Sequence, residues 1–309
     1  MLGTERGSLG AGKGTQMPNL RANGITIEYE EFGRQDSTPL LLIMGLGAQM
    51  VMWHESLCGQ LVDRGFRVIR YDNRDVGLST KFHDACPNPA QLIADVFQGK
   101  SVKPPYSLDD MARDAVGLLQ ALGIPSAHVV GASMGGMIAQ VLAIQYPQRV
   151  LTLTSIMSTT GNPNLPQPEP DVLRLLMQTP PTERQQAIEH GLRVWRALHG
   201  PGFEFDEVRI REVVELAYDR DPDPNGTARQ LLAILTAASR KGQLGSLAIP
   251  ALVIHGDADP LVPIAAGYDT AEAIQGARML VIDGMGHELP EGAWPRVVDA
   301  IAELAQSAH

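Results

Sequence analysis

The chain has 309 residues, with 25 Lys and Arg against 35 Asp and Glu, a formal net charge of −10 and 5% aromatic residues. This balance repels nucleic-acid backbones and anionic membrane surfaces, and offers few rings on which bases could stack. No apolar run approaches the ~18 residues of a membrane span, so no nucleic-acid partner and no membrane span are expected.

In chain order, Met1 to Gln16 lacks the apolar core of a secretory signal, and residues 1–17 are expected to be a disordered tail of a cytoplasmic protein. Gly7 to Thr15 looks like a phosphate-binding loop. Such a loop works only between a strand and a helix, whereas no apolar run precedes Gly7 and Pro18 follows, so no nucleotide site and no cofactor are expected. Ile25 to Phe32 and Pro39 to Met44 read as strands, Met52 to Asp63 as a helix, and Arg67 to Tyr71 as the next strand; this alternation implies a parallel sheet. Cys58 and Cys86, one in a helix and one in a Pro-rich loop, read as free thiols. Asp72 and Arg74 read as a structural hydrogen-bonding pair. Ser107 opens a helix with Asp110 three residues on, and Gly123 closes it.

Ala127 to Val130 is a strand that runs into Gly131-Ala132-Ser133-Met134-Gly135, and Met134, Met137, Ile138, Val141 and Leu142 continue at helical spacing up to Pro147. A serine on a sharp turn between strand and helix, with glycines two residues to either side, is a nucleophile elbow. The following helix aims its free amides where an oxyanion would form.

Arg149 to Met157 supplies another strand, after which the pattern changes. Gly161 to Pro181 contains six prolines, too many for a helix or central strand, and Pro181 to Leu198, Asp206 to Tyr218 and Thr227 to Arg240 read as helices. Alternation resumes with the strand Ala251 to Ile254. Residues 158–245 are therefore expected to be a helical cap on a core of residues 18–157 and 246–309.

A catalytic serine needs a base and an acid to orient it. The loop after Ile254 carries Asp257 and Asp259; the Gly-x-x-Asp-x-x-Val-Pro spacing favours Asp259, with Asp257 as a turn-forming carboxylate, and His255 shapes the strand edge. His287 follows the strand Arg278 to Ile282 in a Gly-Met-Gly-His loop and is the expected base, because His54, His83 and His128 precede the serine. No histidine-rich spacing suggests a metal.

With Ser133, Asp259 and His287 in this order, the chain from about Asn23 to Leu304 resembles the α/β-hydrolase superfamily. Asp72-Asn73-Arg74-Asp75-Val76-Gly77-Leu78-Ser79 is similar to its Asp-x-Arg-x-x-Gly-x-Ser loop. With Met44-Gly45-Leu46-Gly47 and Gly284-Met285-Gly286-His287, it resembles bacterial esterases of the aclacinomycin methylesterase type. The resemblance implies an oxyanion hole from the amides of Leu46 and Met134. One departure is Met44, where many members have a histidine; the amide donor survives, and that histidine's bracing does not.

The function expected is cofactor-free hydrolysis of small, apolar carboxylic esters through an acyl-enzyme. The alternatives are carbon–carbon hydrolysis or perhydrolysis on the same triad, or ligand binding without catalysis. Gly45, Gln49, Met52 and Trp53 after the third strand, and Leu175, Leu176, Trp195 and Leu232 in the cap, are the candidate pocket residues.

Overall fold

The computed structural model describes residues 18–86 and 88–308; the phosphate-loop-like segment Gly7 to Thr15 lies outside them. Eight strands, β1 (Asn19–Ala22), β2 (Ile25–Phe32), β3 (Thr38–Ile43), β4 (Phe66–Tyr71), β5 (Ala127–Ala132), β6 (Val150–Ile156), β7 (Ala251–Gly256) and β8 (Arg278–Ile282), form one sheet in the order β1-β2-β4-β3-β5-β6-β7-β8. From β4 through β8 the neighbours are parallel, while β1 and β2 are antiparallel additions. The β1–β2 hairpin was not expected from the apolar pattern. Its signal is the Asn23-Gly24 pair, whose φ values of 47° and 81° fit the two-residue turn that matches strand twist.

The helices between strands are α1 (Glu55–Asp63), α2 (Pro89–Phe97), α3 (Leu108–Ala121) and α4 (Met134–Gln145). The expected helix from Met52 starts later: Met50–Met52 is a single 3-10 turn, and His54 caps α1 by accepting from Ser56 N–H. The strands β4, β5 and β7 are buried along their whole length, as a sheet covered on both faces requires. One face packs apolar residues of α3 and α4; the other packs α1 and the last helix, Trp294–Gln306. Cys58 and Cys86 are free and buried, and burial pushes the Cys58 thiol up to about 12.

Between β6 and β7 come α5 (Pro170–Leu176), α6 (Arg184–Leu198), α7 (Glu207–Asp219), α8 (Pro224–Leu235) and the short α9 (Lys241–Leu244); α10 (Ala265–Ala273) and α11 (Trp294–Gln306) complete the core. The proline-rich stretch does contain a helix. Pro170 occupies its first turn, where a missing N–H costs nothing, so the proline count misled. Ion pairs at one end and hydrogen bonds at the other hold this insertion to the sheet. Arg240 donates to Thr159 O and Gln140 Oε1, joining the chain's exit from β6 to its return.

The larger docking contact is electrostatic. Asp72 and Arg74 do not pair with each other, contrary to expectation. Asp72 accepts from Arg220 at 2.6 Å, Asp75 takes a two-pronged contact from Arg229 at 2.8 and 2.9 Å, and Arg74 instead holds Asp114 at 2.6 and 2.7 Å. Asp75 and Arg229 side chains are 0% and 1% exposed. Asp75 also accepts from Tyr106 Oη and Phe82 N–H. Two loop carboxylates of the core are thus neutralised by two arginines of the insertion. No helix among the described residues is long and apolar enough to cross a membrane.

Breaking such a pair leaves a buried charge alone, which costs about 3–5 kcal/mol. Arg229→Met should lower stability by about that amount in urea unfolding, and adding Asp75→Asn should recover part of it. A single-variant loss below about 1 kcal/mol would mean that water reaches the pair.

Candidate active site

Ser133 sits between β5 and α4 with φ 56° and ψ −121°, a conformation that costs a non-glycine residue about 1–3 kcal/mol. The surroundings impose it. Ser133 N–H donates to Ile156 O at 2.9 Å, and Ser158 Oγ donates to Ser133 O at 2.7 Å. A Cβ at Gly131 would lie 2.1 Å from Gly135 O, and one at Gly135 would lie 2.0 Å from Ile43 O. Both positions need glycine because the backbones of β3, β5 and α4 cross there.

His287 arrives from the loop after β8. Its backbone N–H donates to Leu198 O, and Gly202 N–H donates to Gly284 O, both at 2.8 Å, so the loop rests on the segment following α6. His287 Nε2 lies 2.9 Å from Ser133 Oγ, and Nδ1 lies 2.7 Å from Asp259 Oδ2. A carboxylate facing Nδ1 requires the proton there, leaving Nε2 to accept from the serine hydroxyl. His287 and Asp259 are each 6% exposed.

The other Asp259 oxygen accepts from Leu261 N–H and Val262 N–H at 2.9 and 2.8 Å. Burial opposes its charge, but attraction to His287 and His255 and the hydrogen bond from His287 outweigh that cost and hold the carboxyl well below its usual range. Asp257 is exposed and accepts from Gly284 N–H at 2.6 Å. It joins the loops after β7 and β8 and does not meet the imidazole. His255 is fully buried, with Nε2 donating to Val262 O at 2.7 Å.

The loop after β3 passes close to the serine: a Cβ on Gly45 would lie 3.1 Å from Ser133 Cβ. Leu46 N–H and Met134 N–H have no acceptor among the described residues. Asn73 Nδ2 donates to Met44 O at 2.9 Å, and Gln230 Oε1 accepts from Gly47 N–H at 2.8 Å. Sequence pattern did not single out Asn73 or Gln230 for this loop. Asn73 lies inside the Asp-x-Arg motif, whereas Gln230 is one polar residue in a helix 183 positions from its partner.

The residues expected to line a pocket are more dispersed. Trp53 is buried in the core beside Leu57 and Cys58, with Met52 packed against the same cluster. Trp195 packs with Ile188, Leu192, Ile210 and Val214 inside the insertion, and Leu232 packs with Cys86 and Ile93. Gln49 donates to Ala217 O and accepts from Arg220, so it belongs to the docking network. Hydrogen bonds hold Gln49 and packing buries Leu232, Trp53 is buried although its Nε1 has no partner among the described residues, and Trp195 stays half-buried, distinctions helical spacing does not carry. Leu175 and Leu176 on α5 are half-buried. A cavity of about 410 Å³ lies between α6, α7 and α8 and reaches Gly47 and Gln49, and another of about 600 Å³ lies between Phe203–Arg209 and Pro290–Gly292.

The family described as having the alpha/beta hydrolase fold matches residues 38–292. The chain belongs to the α/β-hydrolase family. This α/β hydrolase is 30% identical over 305 residues to the rhodomycin D methylesterases of Streptomyces sp. (strain C5) and Streptomyces peucetius, covering 92% of this chain and 96% of each relative. Its fold is similar to that of an esterase from Exiguobacterium antarcticum, with a TM-score of 0.73 at 20% identity over 94% of this chain and 100% of the other.

The depressed Asp259 carboxyl has a stability consequence. A folded value below the unfolded one, about 3.9, contributes stability that is present above about pH 4 and lost as pH falls through the folded value. The gap in urea midpoint between the native protein and Asp259→Asn should therefore be widest near neutrality and narrow below about pH 4. A gap that stays constant on acidification would contradict this.

Proposed function

We propose that this α/β hydrolase is a serine carboxylic ester hydrolase that works through an acyl-enzyme. The observation that carries this is the unbroken line from Ser133 Oγ through His287 to Asp259, at 2.9 and 2.7 Å. In the reaction, His287 Nε2 takes the Ser133 proton as Oγ attacks the ester carbonyl, and Asp259 stabilises the imidazolium while holding its tautomer. The amides of Leu46 and Met134 receive the oxyanion, each contributing on the order of 3 kcal/mol in comparable sites. His287 then protonates the leaving alcohol, a water enters, and the same imidazole activates it to release the acid.

The two Streptomyces relatives are named methylesterases, which makes methyl esters of bulky apolar acids the first compounds to test. We assign residues 18–157 and 246–309 to the catalytic core and 158–245 to a cap that roofs the serine, since the insertion leaves the sheet at the carboxyl end of β6, beside the end of β5 that carries Ser133. Of the cap side chains expected at the pocket, Leu175, Leu176 and Trp195 are half-buried and have surface to offer an ester.

A fluorophosphonate should label the native protein at Ser133 and leave a folded Ser133→Ala variant unlabelled; labelling of that variant would remove Ser133 from the role. Asp259→Asn should lower kcat by roughly 10³ to 10⁴ through the wrong histidine tautomer, and His287→Gln should abolish turnover. Asp257→Asn keeps an oxygen for Gly284 N–H and should stay within about threefold of the native rate, far from the cost of breaking the triad. The reverse ranking of the two aspartates would move the acid to Asp257.

A further inference from the structure

We propose that Gln230, on α8 of the insertion, is a positioning residue for the oxyanion hole, replacing the bracing that a histidine at position 44 would supply. The inference rests on the ester-hydrolase reading. Its basis is the reach of one buried amide to two core loops: Gln230 Oε1 accepts from Gly47 N–H at 2.8 Å, and Nε2 donates to Arg74 O at 2.7 Å. Gln230 is 0% exposed. The amide can sit only one way round, because flipping it would set N–H against N–H and oxygen against oxygen.

Gly47 is the residue after Leu46, whose N–H is the proposed oxyanion donor. Its φ of +66° belongs to the left-handed region, and a Cβ there would come within 2.7 Å of Thr227 Oγ1. Thr227 and Gln230 lie three apart on one face of α8, so the helix presses on the turn with one residue and hydrogen-bonds it with the other. The other ties on this loop are Asn73 Nδ2 to Met44 O, Ala48 N–H to Gly45 O and, past the turn, Gln49 to Ala217 O and Arg220. Met44 itself offers no polar group. Gln230 is the side-chain tie on the Leu46–Gly47 peptide side of the turn, and Arg229 beside it is locked to Asp75. The direction of the Leu46 N–H therefore depends on how the insertion docks, which makes the insertion part of the catalytic geometry as well as a covering.

An oxyanion donor acts when its N–H points at the charge that develops in the transition state, and deleting one outright costs about 10² to 10³ in kcat. Loosening it should cost less and should leave ground-state binding nearly untouched. The test uses the full-length protein, with kcat expressed per serine titrated by a fluorophosphonate, so that misfolded molecules do not count. Gln230→Met should lower that kcat by about 10- to 100-fold with KM within about threefold. Gln230→Glu keeps the acceptor for Gly47 N–H and, held neutral by burial, an O–H for Arg74 O, and should turn over at least about fivefold faster per site than Gln230→Met. A Gln230→Met kcat within about twofold of native, a loss confined to KM, or Gln230→Glu no better than Gln230→Met would overturn the proposal. If Gln230→Met does not fold, Gln230→Asn, too short to reach both loops, is read by the same criteria. Failure of the native protein to be labelled at Ser133 would instead remove the ester-hydrolase reading and this inference with it.

Discussion

Three backbones cross at the carboxyl end of the sheet, and the closeness of that crossing governs the arrangement around it. Because Gly131 and Gly135 have no Cβ, the start of α4 can lie directly on β5 and against the end of β3. Ser133 is thereby forced into its strained conformation, and the loop after β3 is brought alongside it. Strain of this kind persists only when the surroundings over-determine it, and here Ile156 O, Ser158 Oγ and the helix start all act on one peptide. A side chain at either glycine would separate the layers and with them the serine and the amides of Leu46 and Met134.

Charge then decides how the insertion sits on this frame. Buried carboxylates are costly, and Asp72 and Asp75 follow β4 at the edge of the site with no cation in their own loop free to neutralise them, since Arg74 turns away to Asp114. Arg220 and Arg229 neutralise them from the insertion. Removing two pairs from water yields little net stability, but it penalises any displaced docking by stranding a charge. Gln49 and Gln230 use the fixed register this provides to tie the core loop after β3 to α7 and α8. Helices α7 and α8 of the insertion are in this way connected to the loop beside the serine through polar contacts.

The fold and the site differ in how legible they are. Alternating apolar strands and amphipathic helices imply a parallel sheet because burial has a period, and the glycine–serine–glycine turn is local. Both are visible over a few residues. Strand β2 was expected with its observed bounds, but β1, and with it the hairpin, escaped because Asn19–Ala22 is only partly apolar, although Asn23-Gly24 marks the turn. The helix at Pro170 escaped because proline count was used where proline position matters. Trp53 and Leu232 are large and apolar, properties that suit a pocket and a core equally well, and both are buried in clusters.

What the sequence determined by itself is therefore the order of chemistry along the chain: a serine on a strand–helix turn, an acid after a later strand, and a histidine after the next. The choice between Asp257 and Asp259 could be weighted by spacing, but only the tertiary structure brings Asp259 to Nδ1 and leaves Asp257 on Gly284 N–H. The partners of Asp72, Asp75 and Gly47 were beyond sequence altogether, because Arg220, Arg229 and Gln230 stand more than a hundred residues away and nothing local distinguishes them from other polar residues on a helix. Periodicity and turn chemistry are short-range properties of the chain, whereas neutralising a buried charge or orienting one amide depends on which surfaces meet once it has folded.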